Sequence, residues 1–245
     1  TVKDFWFDGT WDASIKQNGW WTAHVERMLK EMLPGVTINS RLRADDYGKR
    51  HFDSNGHLMG DYESAYERRL PDPVKDLHVT KWDWEACMTI PENQWGYHKD
   101  WSLSYVKNPT EVLARIVHAV SMGGNMVVNF GPQPDGELPE VAVQRLKEMG
   151  EWMNQYGETI YGTRGGDVVP HTWGVSTRKG DRLFIHILDL QDNALYIPLK
   201  AKVKKAIQFI SRTPLSFKQE KNGILIKLPQ VPDDIDYVIE LVIKQ

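Results

Sequence analysis

The sequence has 245 residues, 41% of them hydrophobic and 26% charged, and its 30 basic and 33 acidic side chains leave a formal net charge of −3. This is the composition of a folded globular chain with room for one large domain or two of ordinary size. It excludes disorder and collagen-like repeats, and it offers no electrostatic case for nucleic acid or an anionic membrane as the main partner. No apolar run approaches the roughly 20 residues a bilayer span needs, and a single cysteine, Cys87, excludes an internal disulfide and a cysteine-rich zinc site.

The opening segment TVKDFWFDG has neither a basic n-region nor an apolar h-region, so no signal peptide is expected in it, and cysteine usage leaves the compartment open. Val2–Asp8 reads as a strand closed by Asp8-Gly9. Trp21, Val25, Met28, Leu29 and Met32 then recur at helical spacing until Pro34-Gly35 stops the helix. Val36–Leu42 is the next expected strand, and the polar stretch from Ala44 to Asp76 is long enough to mark a functional loop. Val79–Ile90 contains another strand. Asn108-Pro109 has the cap-and-proline form of a helix start, with Val112, Leu113, Ile116, Val117 and Val120 on one face. Met126–Phe130 is a short apolar strand, and Pro139 opens a helix bearing Val143, Leu146, Met149 and Met153 that ends near Gly157.

After Tyr161 the texture changes. Trp173–Thr177, Leu183–Leu188, Ala194–Leu199, Val203–Phe209, Ile224–Leu228 and Tyr237–Ile243 are short, β-branched or alternating, and separated by Gly, Asn, Asp and Pro turns. The expected organisation is an α/β part over residues 1–161 followed by an antiparallel β-sandwich over 162–245. Buried strands leading into helices point to a barrel or an open parallel sheet, where chemistry sits at the carboxyl ends of the strands. Asp8, Arg41, Glu85 and Asn129 all fall at or near such ends.

Tryptophan is the compositional outlier, with ten residues, nine of them before Trp173. A flat indole with one donor serves either a heavily packed core or a ligand-stacking surface, and the C–H face of a sugar is a natural partner for it. Asp8, flanked by Trp6 and Trp11, is either a carboxylate aimed at an electrophilic carbon or a cap for the following turn. Asp61, Glu63 and Glu67 crowd the long polar stretch, and Glu67 is either an acid carried on a loop or a solvated charge. Glu85 lies inside an apolar strand, so it either has a raised pKa or pairs with a cation such as Arg41. Two carboxylates beside tryptophans are what glycoside cleavage requires, one to protonate the leaving oxygen and one to attack the anomeric carbon or activate water. Competing chemistries lack their signatures. His51, Asp53, His57 and Asp61 match no metal-ligand spacing, there is no GxSxG or Walker motif, and Gly123-Gly124 follows a helix, as a C-cap does and a phosphate loop does not.

Six motifs in this order, KDFWFDGTW, NSRLR, YERRLPDP, WEACMTIPENQWGYHKDW, SMGGNMVVNFGPQPDG and GEWMNQYGETIYGT, resemble the second half of an α-L-fucosidase of glycoside hydrolase family 29, with the branch cleaving α-1,3/1,4-linked fucose the nearest. The resemblance covers about residues 1–163. It implies a retaining exo-hydrolase that takes terminal α-L-fucose from glycans through a covalent fucosyl-enzyme, with no metal or organic cofactor, in a secreted or periplasmic setting. By motif, Asp8 would be the nucleophile and Glu67 the general acid/base, with Glu85 in reserve for that role. Trp6, Arg41 and Trp95 would hold the fucose, Trp95 meeting its C6 methyl group. Four barrel strands are expected, near 2–8, 36–42, 82–88 and 125–130, where a full (β/α)8 barrel has eight. The expected state is therefore either a piece of a longer protein or a homo-oligomer that completes a half-barrel. The alternative function is a truncated, non-catalytic carbohydrate-binding or scaffold protein.

Overall fold

The computed structural model describes residues 2–72, 75–76, 81–100 and 105–244. The first residues of the strand expected over Val79–Ile90, and Trp101, lie outside them. The chain divides into two compact units, Thr1–Met88 with Gly124–Val128, and Thr89–Gly123 with Asn129–Gln245. Among the described residues no helix is long and apolar enough to cross a membrane.

The first unit is built on short strands laid side by side in chain order. Strand β1 (Asp4–Phe5) pairs parallel with β2 (Thr37–Ile38). A parallel bridge from Asn39 to Tyr62 carries the arrangement on to β3 (Glu63–Glu67), which pairs parallel with β4 (Trp84–Thr89), and β5 (Asn125–Asn129) lies beside β4. The short helix α1 (Ala13–Lys16) is capped by Asp12, and α2 (Gly19–Met32) follows it. Val25, Leu29 and Leu33 pack over Phe5, Phe7, Val36, Ile38 and Leu42. Trp21, Met28 and Met32 of the expected apolar stripe instead remain exposed on α2.

Strand β3 is the difference from the sequence expectation, in which residues 44–76 are loop and the strands number four. Its sequence, ESAYE, is polar, yet Glu63 and Ser64 are buried. A polar strand survives burial when its groups find partners. Here Glu63 accepts a 3.0 Å hydrogen bond from the Tyr66 hydroxyl, and the Ser64 amide donates to Ser40 Oγ at 3.1 Å. Strand β4 follows the usual rule for parallel strands, with Trp84, Ala86, Cys87 and Met88 all buried. Gly124 lies against it: a Cβ there would sit 2.3 Å from the Trp84 ring, so only glycine lets β5 approach.

In the second unit, α3 (Pro109–Ser121) begins with a complete capping box between Asn108 and Glu111, and α4 (Glu140–Tyr156) packs on α3. Helix α3 also packs on β6 (Arg164–Gly165) and β7 (Gly174–Lys179). The remaining strands are β8 (Arg182–Ile187), β9 (Ala194–Ile197), β10 (Val203–Gln208), β11 (Phe217–Gln219), β12 (Ile224–Lys227) and β13 (Tyr237–Ile243). They form two antiparallel sheets, ordered β10-β13-β8-β7-β6 and β11-β12-β9. One core joins the sheets, with Leu183, Ile185, Ile239 and Leu241 from the first and Leu195, Ile197, Ile224 and Ile226 from the second. All six expected strands are present, and β6 and β11 are additional.

Candidate active site

Arg41 organises the polar end of the first unit. It follows β2 on a single 3-10 turn, Ser40–Leu42, and is only 5% exposed. Its Nη1 donates to Asp8 Oδ1 at 3.0 Å and to Glu67 Oε1 at 2.5 Å, and its Nε donates to the Ser64 carbonyl at 2.6 Å. The guanidinium carbon lies 4.8 Å from the centre of the Trp6 ring, a cation–π contact. Burial disfavours the charge on Arg41, but the hydrogen bonds to Glu67 and Asp8 outweigh it and raise the pKa. The Asp8 and Glu67 side chains remain 41% and 39% exposed. Each carboxylate is therefore anchored on one side by the cation and open on the other.

The backbone around these groups is tightly held. The Asn39 side chain accepts from the Phe7 amide and donates to the Phe7 carbonyl, both at 3.0 Å, so a buried amide imitates a strand neighbour next to Asp8. Beyond Asp8 the chain turns at Gly9, φ +104, and the Thr10 hydroxyl donates to the Arg41 carbonyl at 2.8 Å. Glu67 ends β3 where Arg68 takes a left-handed conformation, φ +54. Glu67 thus projects from a strand terminus, not from the free loop expected from sequence.

Glu85 does not pair with Arg41, whose carboxylate partners are Asp8 and Glu67. Its Oε1 accepts from Trp6 Nε1 at 2.6 Å and from the Ser64 hydroxyl at 3.2 Å. Burial pushes its carboxyl above the ordinary range, and the Trp6 and Ser64 hydrogen bonds pull the other way. The indole over Arg41 is therefore oriented by Glu85. Cys87 also faces Arg41, with Nη2 at 3.6 Å from its sulfur. Burial nevertheless pushes the thiol up to about 11, so it stays protonated near neutral pH.

The polar residues of the long stretch go separate ways. Asp61 accepts from Lys30 at 2.6 Å and from the Ile38 amide at 2.9 Å, and Asp53 caps its own turn through the Asn55 and His57 amides. His51 joins the site: its Nδ1 lies 2.7 Å from Ser40 Oγ, and its backbone is left-handed, φ +64. Burial, together with Arg50 and Arg41, lowers its pKa to about 4, so the ring is neutral. Sequence reasoning missed Asn39, Ser64 and His51. The first stands in the NSRLR motif, whereas nothing in the local pattern marks the other two. Trp95 and Asn129 belong to the second unit, where Asn129 Nδ2 donates to the Trp95 carbonyl at 2.7 Å.

The family model described as Alpha-L-fucosidase matches residues 2–158 of this chain. The tissue alpha-L-fucosidase of Macaca fascicularis is 29% identical over 182 residues, covering 71% of this chain and 37% of that protein. The plasma alpha-L-fucosidase of Homo sapiens is 31% identical over 164 residues, covering 63% and 35%. Among solved structures, an alpha-L-fucosidase GH29 from Bacteroides thetaiotaomicron shares 57% identity at a TM-score of 0.94, covering 100% of this chain and 57% of that one. That structure is a trapped covalent intermediate in complex with 2-fluoro-fucosyl fluoride, obtained with a glutamate-to-glutamine mutant. The alpha-L-fucosidase isoenzyme 1 from Paenibacillus thiaminolyticus is similar at 29% identity and a TM-score of 0.83, covering 100% of this chain and 58% of its own. The chain spans less than two thirds of the length of each of these relatives.

Proposed function

This chain belongs to the α-L-fucosidase family, and on that premise we propose that it acts as a retaining exo-glycosidase on terminal α-L-fucose of glycans. The observation that supports the mechanism is the Arg41 nitrogen shared by Asp8 and Glu67. Because one atom touches both, their nearest oxygens are separated by no more than the 3.0 and 2.5 Å bonds laid end to end. A separation of that size suits a retaining pair, whose carboxyls stand about 5–5.5 Å apart, and is too short for the intervening water of an inverting pair.

Asp8 attacks the anomeric carbon, and Glu67 gives a proton to the departing glycosidic oxygen. Water, deprotonated by the Glu67 carboxylate, then releases fucose from the Asp8 ester. Arg41 and Trp6 stand beside the two carboxylates and hold the sugar with them, with Glu85 positioning Trp6. The part of Trp95 against the C6 methyl rests on its motif alone. No metal or organic cofactor enters these steps. The fold we propose around them is part of a (β/α)8 barrel over residues 1–161, carrying a β-sandwich over 162–245, with the rest of the barrel supplied either by a longer protein of which this chain is a piece or by further copies of the chain.

Azide tests both roles at once. Asp8→Gly should lose hydrolysis of an aryl fucoside and regain turnover with azide, giving the β-fucosyl azide. Glu67→Ala should lose far more rate on a fucosyl disaccharide than on an activated aryl fucoside, and azide should give the α product. Near-normal hydrolysis by Asp8→Gly would remove it from the mechanism. Fucose binding by the unmutated protein without any turnover would favour the non-catalytic alternative.

A further inference from the structure

Bridges from Ala44 to Arg50 and from Phe52 to Leu58 fold the polar stretch after Arg41 into two small loops, and His51 stands at the joint between them. Its carbonyl accepts from the Met59 amide at 2.8 Å, and its backbone is left-handed, φ +64, a region that few side chains occupy without cost. What this backbone delivers is one ring. Nδ1 stands 2.7 Å from Ser40 Oγ, and Ser40 is fully buried beside Arg41 on the same 3-10 turn.

That contact is the first of a series that ends on the guanidinium. Ser40 Oγ also accepts from the Ser64 amide at 3.1 Å, and the carbonyl of Ser64, a buried residue of β3, accepts from Arg41 Nε at 2.6 Å. A guanidinium is a rigid planar fork, so the direction of its Nε–H sets where Nη1 points. Nη1 is the atom bonded to both Asp8 and Glu67. Loosening Ser40 would let Ser64 and Arg41 shift together and alter the gap between the two carboxylates. The ring also suits its neighbours electrically. Burial, Arg50 and Arg41 outweigh the pull of Asp8 and keep it neutral, so it anchors the turn without adding a second cation to compete for Asp8 and Glu67.

We infer that His51 is a positioning residue for Arg41, acting through Ser40 and Ser64 to fix the guanidinium that spaces Asp8 and Glu67. The inference deepens the fucosidase reading and rests on it for the kinetic consequence, but not for the hold on Arg41.

A double-mutant cycle tests the kinetic part. His51→Gly accepts the left-handed backbone and removes the ring, and Ser40→Ala breaks the same contact from its other side. On an aryl fucoside each single variant should lose about ten- to hundredfold in kcat with KM changed by less than about threefold, the mark of misplaced groups. The double variant should be no slower than the worse single. His51→Asn tolerates the same backbone and sets a polar atom where Nδ1 stands, so it should recover most of the loss. Losses that multiply in the double variant, or an asparagine variant as slow as the glycine one, would overturn the inference and leave His51 a packing residue.

The hold on Arg41 is read without any substrate, from hydrogen exchange of its Nε–H in protein labelled with 15N-arginine, the resonance being assigned by its absence from Arg41→Lys. Exchange should quicken about tenfold in His51→Gly and in Ser40→Ala, the worth of one lost hydrogen bond, and stay near the parent rate in His51→Asn. Unchanged exchange in the glycine and alanine variants overturns the positioning role. Failure of the unmutated protein to hydrolyse any fucoside would instead refute the fucosidase reading, and the exchange rates would still decide whether His51 holds Arg41.

Discussion

His51 shows how much of this site is set by neighbours that are not themselves acidic. The Ser64 amide donates to Ser40 Oγ, and the same oxygen lies 2.7 Å from His51 Nδ1, so the ring is paired with a neutral hydroxyl and not with a carboxylate. The folded protein holds this imidazole neutral, with its pKa lowered from 6.5 to about 4, so between those values the unfolded chain binds a proton that the folded chain refuses. Stability must therefore rise with pH across that window, by up to about 1.4 kcal/mol per pH unit from this group. His51→Asn keeps a residue that tolerates the left-handed backbone and removes the titration. The variant should be less stable than the parent at pH 7, with a gap that narrows as the pH falls toward 4. Urea unfolding at several pH values measures it, and a gap independent of pH would contradict the neutral imidazole. The setting of Glu67 was not legible in the sequence: a charged side chain beside Arg68-Arg69 looks like loop until the strand that it ends is seen.

At the scale of elements, strand β3 and the Asn39 clamp explain most of what the sequence concealed. Alternation and apolar runs reveal β4, β5 and the sandwich strands because water exclusion selects Val, Ile and Leu there. Strand β3 carries no such signal, since its buried groups are satisfied by Ser40 and Arg41 from the turn after β2 and by Tyr66 of the strand itself. Helix α2 was legible in existence and length, but of its expected stripe Val25 and Leu29 pack inward, with Leu33 just past its end, while Trp21, Met28 and Met32 stay exposed. Asn39 holds the end of β1 by a reciprocal pair of hydrogen bonds, and each half has a distinct requirement. Asn39→Asp keeps an acceptor for the Phe7 amide but sets a carboxylate oxygen against the Phe7 carbonyl. Leaving that carbonyl unpaired beside a partly buried charge should cost about 2–4 kcal/mol. The variant should show a lower urea midpoint with an unchanged slope, and a reduced kcat as Asp8 loses its fixed backbone. Unaltered stability would show that the clamp is incidental.

For the molecule as a whole, the motif pattern and the composition change near Tyr161 were enough to recognise the family and to expect the sandwich, because both are written in local sequence. Assembly is written only in surfaces. Trp20, Trp21, Met28 and Met32 leave an apolar stripe on α2 exposed to water, and covering several hundred Å² of such surface is worth on the order of 10 kcal/mol. We expect the purified chain to self-associate, with a light-scattering mass that is a multiple of 28.3 kDa. A monomer at all concentrations would refute this. The central claim, that Asp8 forms the covalent bond to fucose, has a more direct test in 2-fluoro-fucosyl fluoride, the compound in the trapped Bacteroides thetaiotaomicron relative. Fluorine at C2 slows both steps, and the good leaving group lets the intermediate form faster than it breaks down. After incubation and proteolysis, mass spectrometry should find one 2-fluoro-fucosyl group per chain, on the peptide containing Asp8 and absent from Asp8→Gly. A label on any other residue, or an equal label on the Asp8→Gly protein, would contradict the account.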